Sequence, residues 1–160
     1  MEWTKDEFRI STDKSLLDLD VVHLFLTNSY WASGIPRKTV ELSIEHSLCF
    51  GLYLHEKQVG FARVISDQAT FAYLSDVFIL PDVRGQGLSK WMMSCIQSVE
   101  GLQGLRRFML ATADAHGLYE QFGFENLNKP ERMMEKLVPD IYQQTGSREN
   151  ECKQKTFPKG

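Results

Sequence analysis

The chain is expected to fold as one mixed α/β domain, with helices packed on a single central sheet. Three observations predict this. Strand-like and helix-like runs follow one another in the order β-α-α-β-β-β-α-β-α-β, which brings both kinds of element to one core. The 160 residues and 18.4 kDa suit one domain rather than two. Apolar residues make up 42% of the chain, enough for a sizeable core, and the charged 24% is ordinary for a soluble protein.

The elements follow from periodicity and punctuation. Glu7 to Ile10 is predicted as a short first strand. From Ser15 to Tyr30 the apolar residues Leu16, Leu17, Leu19, Val22, Leu24, Phe25 and Leu26 fit a helix, with Asp13 or Ser15 as its N-cap. Gly34 and Pro36 break that pattern into a loop, and Pro36 opens a second helix to about Ser47. Cys49–His55 and Val59–Ser66 read as strands joined by a turn at Glu56-Lys57-Gln58. Thr70–Leu80 is a longer strand, rich in aromatic and branched residues. Gly85–Glu100 is a helix with Leu88, Trp91, Met92, Cys95, Ile96 and Val99 on one side. Arg107–Thr112 is a strand and Ala115–Gln121 a short helix, followed by strand-like pieces at Phe122–Phe124 and Arg132–Leu137. No internal repeat is present.

Composition narrows the functional classes. A net charge of -3 argues against nucleic acid or an acidic membrane as the main partner, since both favour a basic patch. Cys49, Cys95 and Cys152 form no CxxC pair and read as reduced thiols, and no metal site is expected. The charged start Met1-Glu2-Trp3-Thr4-Lys5-Asp6-Glu7 is unlike a signal peptide, and no apolar run reaches the ~20 residues of a membrane span. A cytoplasmic location is expected. Residues 1–139 form the expected domain, and 140–160 a polar, flexible tail.

The most informative stretch runs from Asp76 to Lys90. A strand enters the turn Arg84-Gly85-Gln86-Gly87-Leu88-Ser89, and a helix begins at once. Gly85 and Gly87 let the backbone adopt positive φ and approach a ligand closely. The free N–H groups of the first helical turn, with about half a positive charge from the helix dipole, suit a pyrophosphate. A Walker A loop is excluded because Lys90 follows Ser89, and a dinucleotide fingerprint because Lys90 replaces its third glycine.

This stretch closely resembles motif A of the GNAT superfamily of N-acetyltransferases, Arg/Gln-x-x-Gly-x-Gly/Ala. Arg84 and Gly87 match it, and Ser89 replaces the last small residue. Downstream, Ala115-His116-Gly117-Leu118-Tyr119-Glu120-Gln121-Phe122-Gly123-Phe124 resembles motif B, Ala-x-x-Leu-Tyr-x-x-x-Gly-Phe. The two motifs stand in the family's order and cover about Asp76 to Phe124.

The resemblance implies a GNAT-like sheet flanked by helices and an acetyl-CoA-dependent transfer of an acetyl group directly to an amine. Backbone of Phe78, Ile79 and Leu80 would pair with pantetheine, and N–H groups of Arg84, Gly85, Gln86, Gly87, Leu88 and Ser89 would hold the pyrophosphate. An N–H near Phe78 would polarise the thioester carbonyl, a role worth ~10²–10³ in rate. Tyr119 matches the position that donates a hydrogen bond or proton to the leaving sulfur. Thr112 stands where many relatives carry Asn.

Asp76 lies two residues before Phe78 on the same strand face. It is expected either to act as a base through a water or to attract a cationic amine, and Ser75 before it excludes a carboxylate pair. Tyr30 and Trp31, with Tyr73, are expected to wall the acceptor, a small-molecule amine; a non-catalytic acetyl-CoA-binding or sensor module of the same fold, or a protein or peptide N-acetyltransferase, is the alternative. The aromatic faces there can hold a cation. Cys95 has the phase of a buried residue, so no covalent intermediate is expected. His116 is read as solvent-facing and His23 as a satisfied core residue, while His46 and His55 have no partner at a recognisable spacing. The Met92-Met93 and Met133-Met134 pairs read as core or interface filler, which leaves a homodimer open.

Overall fold

The structure, a computed structural model, describes residues 1–143. Six strands form one sheet in sequence order: β1 (Glu2–Lys5), β2 (Phe8–Ser11), β3 (Leu48–Leu54), β4 (Lys57–Ser66), β5 (Phe71–Ile79) and β6 (Arg107–Leu110). All neighbours are antiparallel except β5 and β6, which run parallel. The helices are α1 (Leu19–Thr27), α2 (Arg37–Glu45), α3 (Leu88–Gln97) and α4 (His116–Tyr119).

The central strands β3 and β4 are nearly continuous apolar runs because both sheet faces are covered. On one face, Leu88, Met92, Met93, Cys95 and Ile96 of α3 pack against Phe50, Leu52, Ala62, Val64, Ala72 and Leu74. Burying each of the larger of these side chains contributes roughly 1.5–3 kcal/mol. On the other face, Val22 and Leu26 of α1 and Val40 of α2 cover Cys49, Phe61 and Phe78. The mixed α/β class is thus borne out, with helices on both faces of the sheet.

Several elements differ from the sequence reading. The first strand is a hairpin, β1 with β2, turned at Asp6 with φ of 53°. The first helix is split by two aspartate caps. Asp13 accepts from Ser15 N–H above a short 3-10 turn, and Asp18 accepts from Asp20 and Val21 to start α1. The motif B helix is one turn of α-helix that tightens into a 3-10 turn over Glu120–Phe122.

No strand forms at Phe122–Phe124 or Arg132–Leu137. Gly123, at φ of 83°, turns the chain, and Phe124 packs its ring against Phe108 and Tyr119 instead of entering a ladder. Further on, Met133 sulfur accepts from Arg107 at the start of β6, and Met134 and Leu137 are exposed, so this segment has no apolar face to bury on the sheet. Within the expected tail, Asp140–Gln143 forms a turn and Tyr142 packs on the α1–α2 cluster. Residues 144–160, the remainder of that tail, lie outside the described residues. No helix among the described residues is long and apolar enough to cross a membrane.

Candidate active site

The site is an opening in the sheet. β5 pairs with β6 only over Phe71–Leu74, against Arg107–Leu110, and then continues to Ile79 without a partner on that side. After Leu110 the chain leaves the sheet through Ala111–Asp114. A cleft of about 660 Å³ opens between the two segments. The backbone groups of Ser75–Ile79 on that edge face it unpaired by β6, the condition under which an extended ligand can add as a strand.

A bulge shapes the same edge. Phe61 of β4 pairs with Phe78, but Arg63 pairs with Ser75, so β5 carries one extra residue there. Asp76 takes the strain with φ of 55°, a left-handed conformation that aspartate tolerates better than most residues. β4 lies so close that a Cβ at Gly60 would stand 2.9 Å from the Phe78 carbonyl oxygen, which is why a glycine stands there.

Asp76 is held by two side chains from outside its strand. Arg63 Nε donates to its Oδ2 at 2.8 Å, and Trp31 Nε1 donates to its Oδ1 at 3.2 Å. Arg63 also donates to Ser47 Oγ at 3.1 Å and Ser75 Oγ at 3.4 Å. The two charged side chains are 14% and 9% exposed, so this is a largely desolvated ion pair. Arg63 was not singled out by sequence reasoning. Hairpin register alone sets Arg63 opposite Ser75, and the bulge that follows brings Asp76 to its guanidinium.

The Gly85-Gln86-Gly87 turn has the geometry expected of it. Gly85 and Gly87 have φ of 79° and 73°, and neither position has a heavy atom within 4 Å of where a Cβ would lie. Gly87 is the N-cap of α3, and no side chain caps that end. Its first-turn N–H groups are therefore available to an anion. Arg84 Nε donates to Ile79 carbonyl at 2.8 Å, tying the turn to the end of β5, while Gln86 donates to Val83 carbonyl. Leu88 is buried beneath the turn, and Ser89 lines the cleft with Arg84, Phe78 and Ile79. Leu80 packs beside the α1–α2 cluster and donates its N–H to Val59 carbonyl at 2.8 Å, so that one donor is already used within the sheet.

Tyr119, from α4, lines the opposite wall and is 9% exposed. Burial pushes its phenol above the ordinary value, with Tyr30 and Asp114 adding to the effect. Thr112 Oγ1 accepts from Ala115 N–H at 3.0 Å and so caps the α4 turn. Tyr30, Trp31 and Tyr73 also line the cleft, as expected for an acceptor wall. Tyr30 and Trp31 meet edge to face at 4.9 Å. Phe25, which the sequence reading did not select, stacks on Phe78 at 3.9 Å and completes this wall.

Other candidates fall outside the cleft. His23 is half-buried with its Nε2 3.0 Å from Ile35 carbonyl, and His116 is exposed. Cys95 is buried, and burial pushes its thiol up to about 11. Met92 and Met93 are core residues, whereas Met133 and Met134 are exposed.

Comparison with known proteins gives the same reading of the fold. A family model described as an acetyltransferase (GNAT) domain matches residues 45–126, about half of the chain. A protein of Gibberella zeae named as an acetyltransferase is 33% identical over 138 aligned positions, covering 73% of this chain and 78% of its own. A crystal structure from Xanthomonas campestris pv. campestris, of a protein assigned to the GNAT family, is 52% identical with a TM-score of 0.83. It covers 84% of this chain and 96% of its own. An acetyltransferase from Clostridium acetobutylicum, solved with acetyl-CoA, shares the fold at 12% identity and a TM-score of 0.54, covering 81% and 94% of the two chains. With motif A on the β5–α3 turn, motif B on α4 and relatives of this extent, the chain belongs to the GNAT acetyltransferase family and is an acyltransferase.

Proposed function

We propose that the protein transfers an acetyl group from acetyl-CoA directly to the amine of a small molecule. The observation that carries this reading is the unpaired edge of β5, Ser75–Ile79, leading without interruption into a glycine turn and the uncapped start of α3. That combination offers a strand edge for an amide-containing arm and a ring of N–H donors for phosphate. The related fold solved with acetyl-CoA supports the same co-substrate.

The reaction forms a bond from the amine nitrogen to the thioester carbonyl carbon and breaks the carbon–sulfur bond. The ammonium proton must leave, and the thiolate must gain one. A primary alkylamine resembles Lys, so at pH 7 freeing its lone pair costs roughly 4 to 5 kcal/mol unless the site assists. An N–H near Phe78 at the β5 bulge stabilises the developing oxyanion. Tyr119, with its phenol pushed up by burial, remains protonated at neutral pH and donates a hydrogen bond to the sulfur. A thiol of pKa ~8.5 is the stronger acid, so the proton that completes the thiol comes finally from the amine.

The Arg63 ion pair supports a positioning role for Asp76. Both of its oxygens already accept hydrogen bonds, one from a cation, which ties the carboxylate to the protein's own side chains. In this role Asp76 fixes the bulge that aims the Phe78 backbone and anchors the Trp31 wall. The test is a panel of primary amines incubated with purified protein and acetyl-CoA. Free CoA release is read by thiol titration, and acetylated product by mass. Stoichiometric CoA and N-acetyl product is the expected result. Acetyl-CoA binding without product from any amine would overturn the reading in favour of a binding module.

A further inference from the structure

Two carboxylates line the cleft among the described residues, Asp76 and Asp114. They are not equivalent. Asp76 is paired with Arg63 and accepts from Trp31, with a 9% exposed side chain. Asp114, in the β6–α4 loop, forms no ion pair and no side-chain hydrogen bond among the described residues. It lines the same cleft as Tyr119 and Tyr30, and its charge adds to the burial that raises the Tyr119 phenol. A carboxylate without an ion-pair partner among the described residues therefore lines the cleft that also holds Tyr119 and the aromatic side chains of Phe25, Tyr30, Trp31 and Tyr73.

The lining also limits what else an acceptor can carry. Arg84 is the lining cation, and its Nε is held by Ile79 carbonyl at the phosphate turn. Among the described residues no second Arg or Lys lines the cleft to meet an acceptor's own carboxylate or phosphate. Aromatic faces attract a cation and accommodate a flat apolar body, and a carboxylate opposite them adds a directed charge.

We propose that Asp114 is the counter-charge of the acceptor, and that the acceptor is a monocationic amine with an apolar or aromatic body and no acidic group. This rests on the acetyl-transfer reading for its site. It assigns to Asp114 the cation-attracting role that sequence position suggested for Asp76. Its range is short and screened by salt, because the group is exposed.

The probe is phenethyltrimethylammonium, a permanent cation that cannot be acetylated, titrated calorimetrically into the full chain. The wild type should bind it, and Asp114→Asn should weaken that binding about 1.5- to 5-fold, the range of one exposed, screened charge pair. Glu56→Gln, which makes the same net-charge change in the distant β3–β4 turn, controls for the general field. In a parallel turnover assay, the preference for phenethylamine over aniline, which is neutral at pH 7, should fall by the same factor in Asp114→Asn. A wild type that does not bind the cation, or an Asp114→Asn variant that binds it like wild type, overturns the inference. Asp114-dependent binding without acetyl transfer to any amine upholds it and instead overturns the transferase reading. Transfer that is indifferent to Asp114 does the reverse.

Discussion

Replacing Arg63 with Met should cost about 3 kcal/mol of stability. The arginine and Asp76 are 14% and 9% exposed, and their 2.8 Å contact is charge-assisted. Removing one partner of a buried pair strands the other charge, at roughly 3–5 kcal/mol. The low end applies because Trp31 still donates to Asp76. For a domain of this size the loss corresponds to a fall in Tm of roughly 6–12 °C. Adding Asp76→Asn removes the stranded charge, and asparagine tolerates the left-handed φ of 55° at that position. The double variant should therefore recover at least ~1 kcal/mol relative to Arg63→Met. Urea unfolding at constant m-value measures all three variants. If the single effects add to within ~0.5 kcal/mol, the two residues are not coupled and the reasoning about the bulge fails.

Asp76→Asn alone should lower turnover at every pH by disturbing the bulge, and recovery at high pH would instead show that Asp76 is the base. Tyr119→Phe should reduce turnover about 10- to 10³-fold while acetyl-CoA affinity stays near wild type, as for loss of one charge-stabilising donor. Normal turnover would leave Tyr119 as packing. Burial pushes the thiols of Cys49 and Cys95 up to about 11 from an ordinary value of 9.0. The unfolded chain loses these protons first, so the stability they contribute is full below pH 9 and lost between pH 9 and 11. Urea titrations across that window check this, and Cys49→Ala with Cys95→Ala should flatten the decline. An unaltered decline would contradict it.

The β5–α3 turn was legible because its backbone geometry is one that particular residues enforce. Gly85 and Gly87 are needed at φ of 79° and 73°, and both stand in a short, recognisable pattern. The amphipathic stripe of α3 was legible for the same local reason. The Arg63–Asp76 pair was not, because it depends on β4–β5 register and on a bulge that no single residue announces. Phe25 and Asp114 were missed since one reads as ordinary helix core and the other as a solvated loop acid. Only the folded chain brings both to one cleft. The final strand failed for a different reason. Arg132–Leu137 holds no β-branched or aromatic residue to favour a strand, and Met134 is 97% exposed, so the segment has little to gain by joining the sheet.

The central claim is that the Arg84–Ser89 turn holds the pyrophosphate of acetyl-CoA. Gly87→Glu tests it most directly, because the turn has free space: no heavy atom lies within 4 Å of a Cβ there. The variant bears only the left-handed strain of a non-glycine residue, about 1–2 kcal/mol, and should remain folded. Calorimetric titration of acetyl-CoA into wild type and Gly87→Glu should show binding by the first and at least a ~10-fold loss in the second, equivalent to ~1.4 kcal/mol. Equal affinities, with circular dichroism showing both proteins folded, would contradict the account.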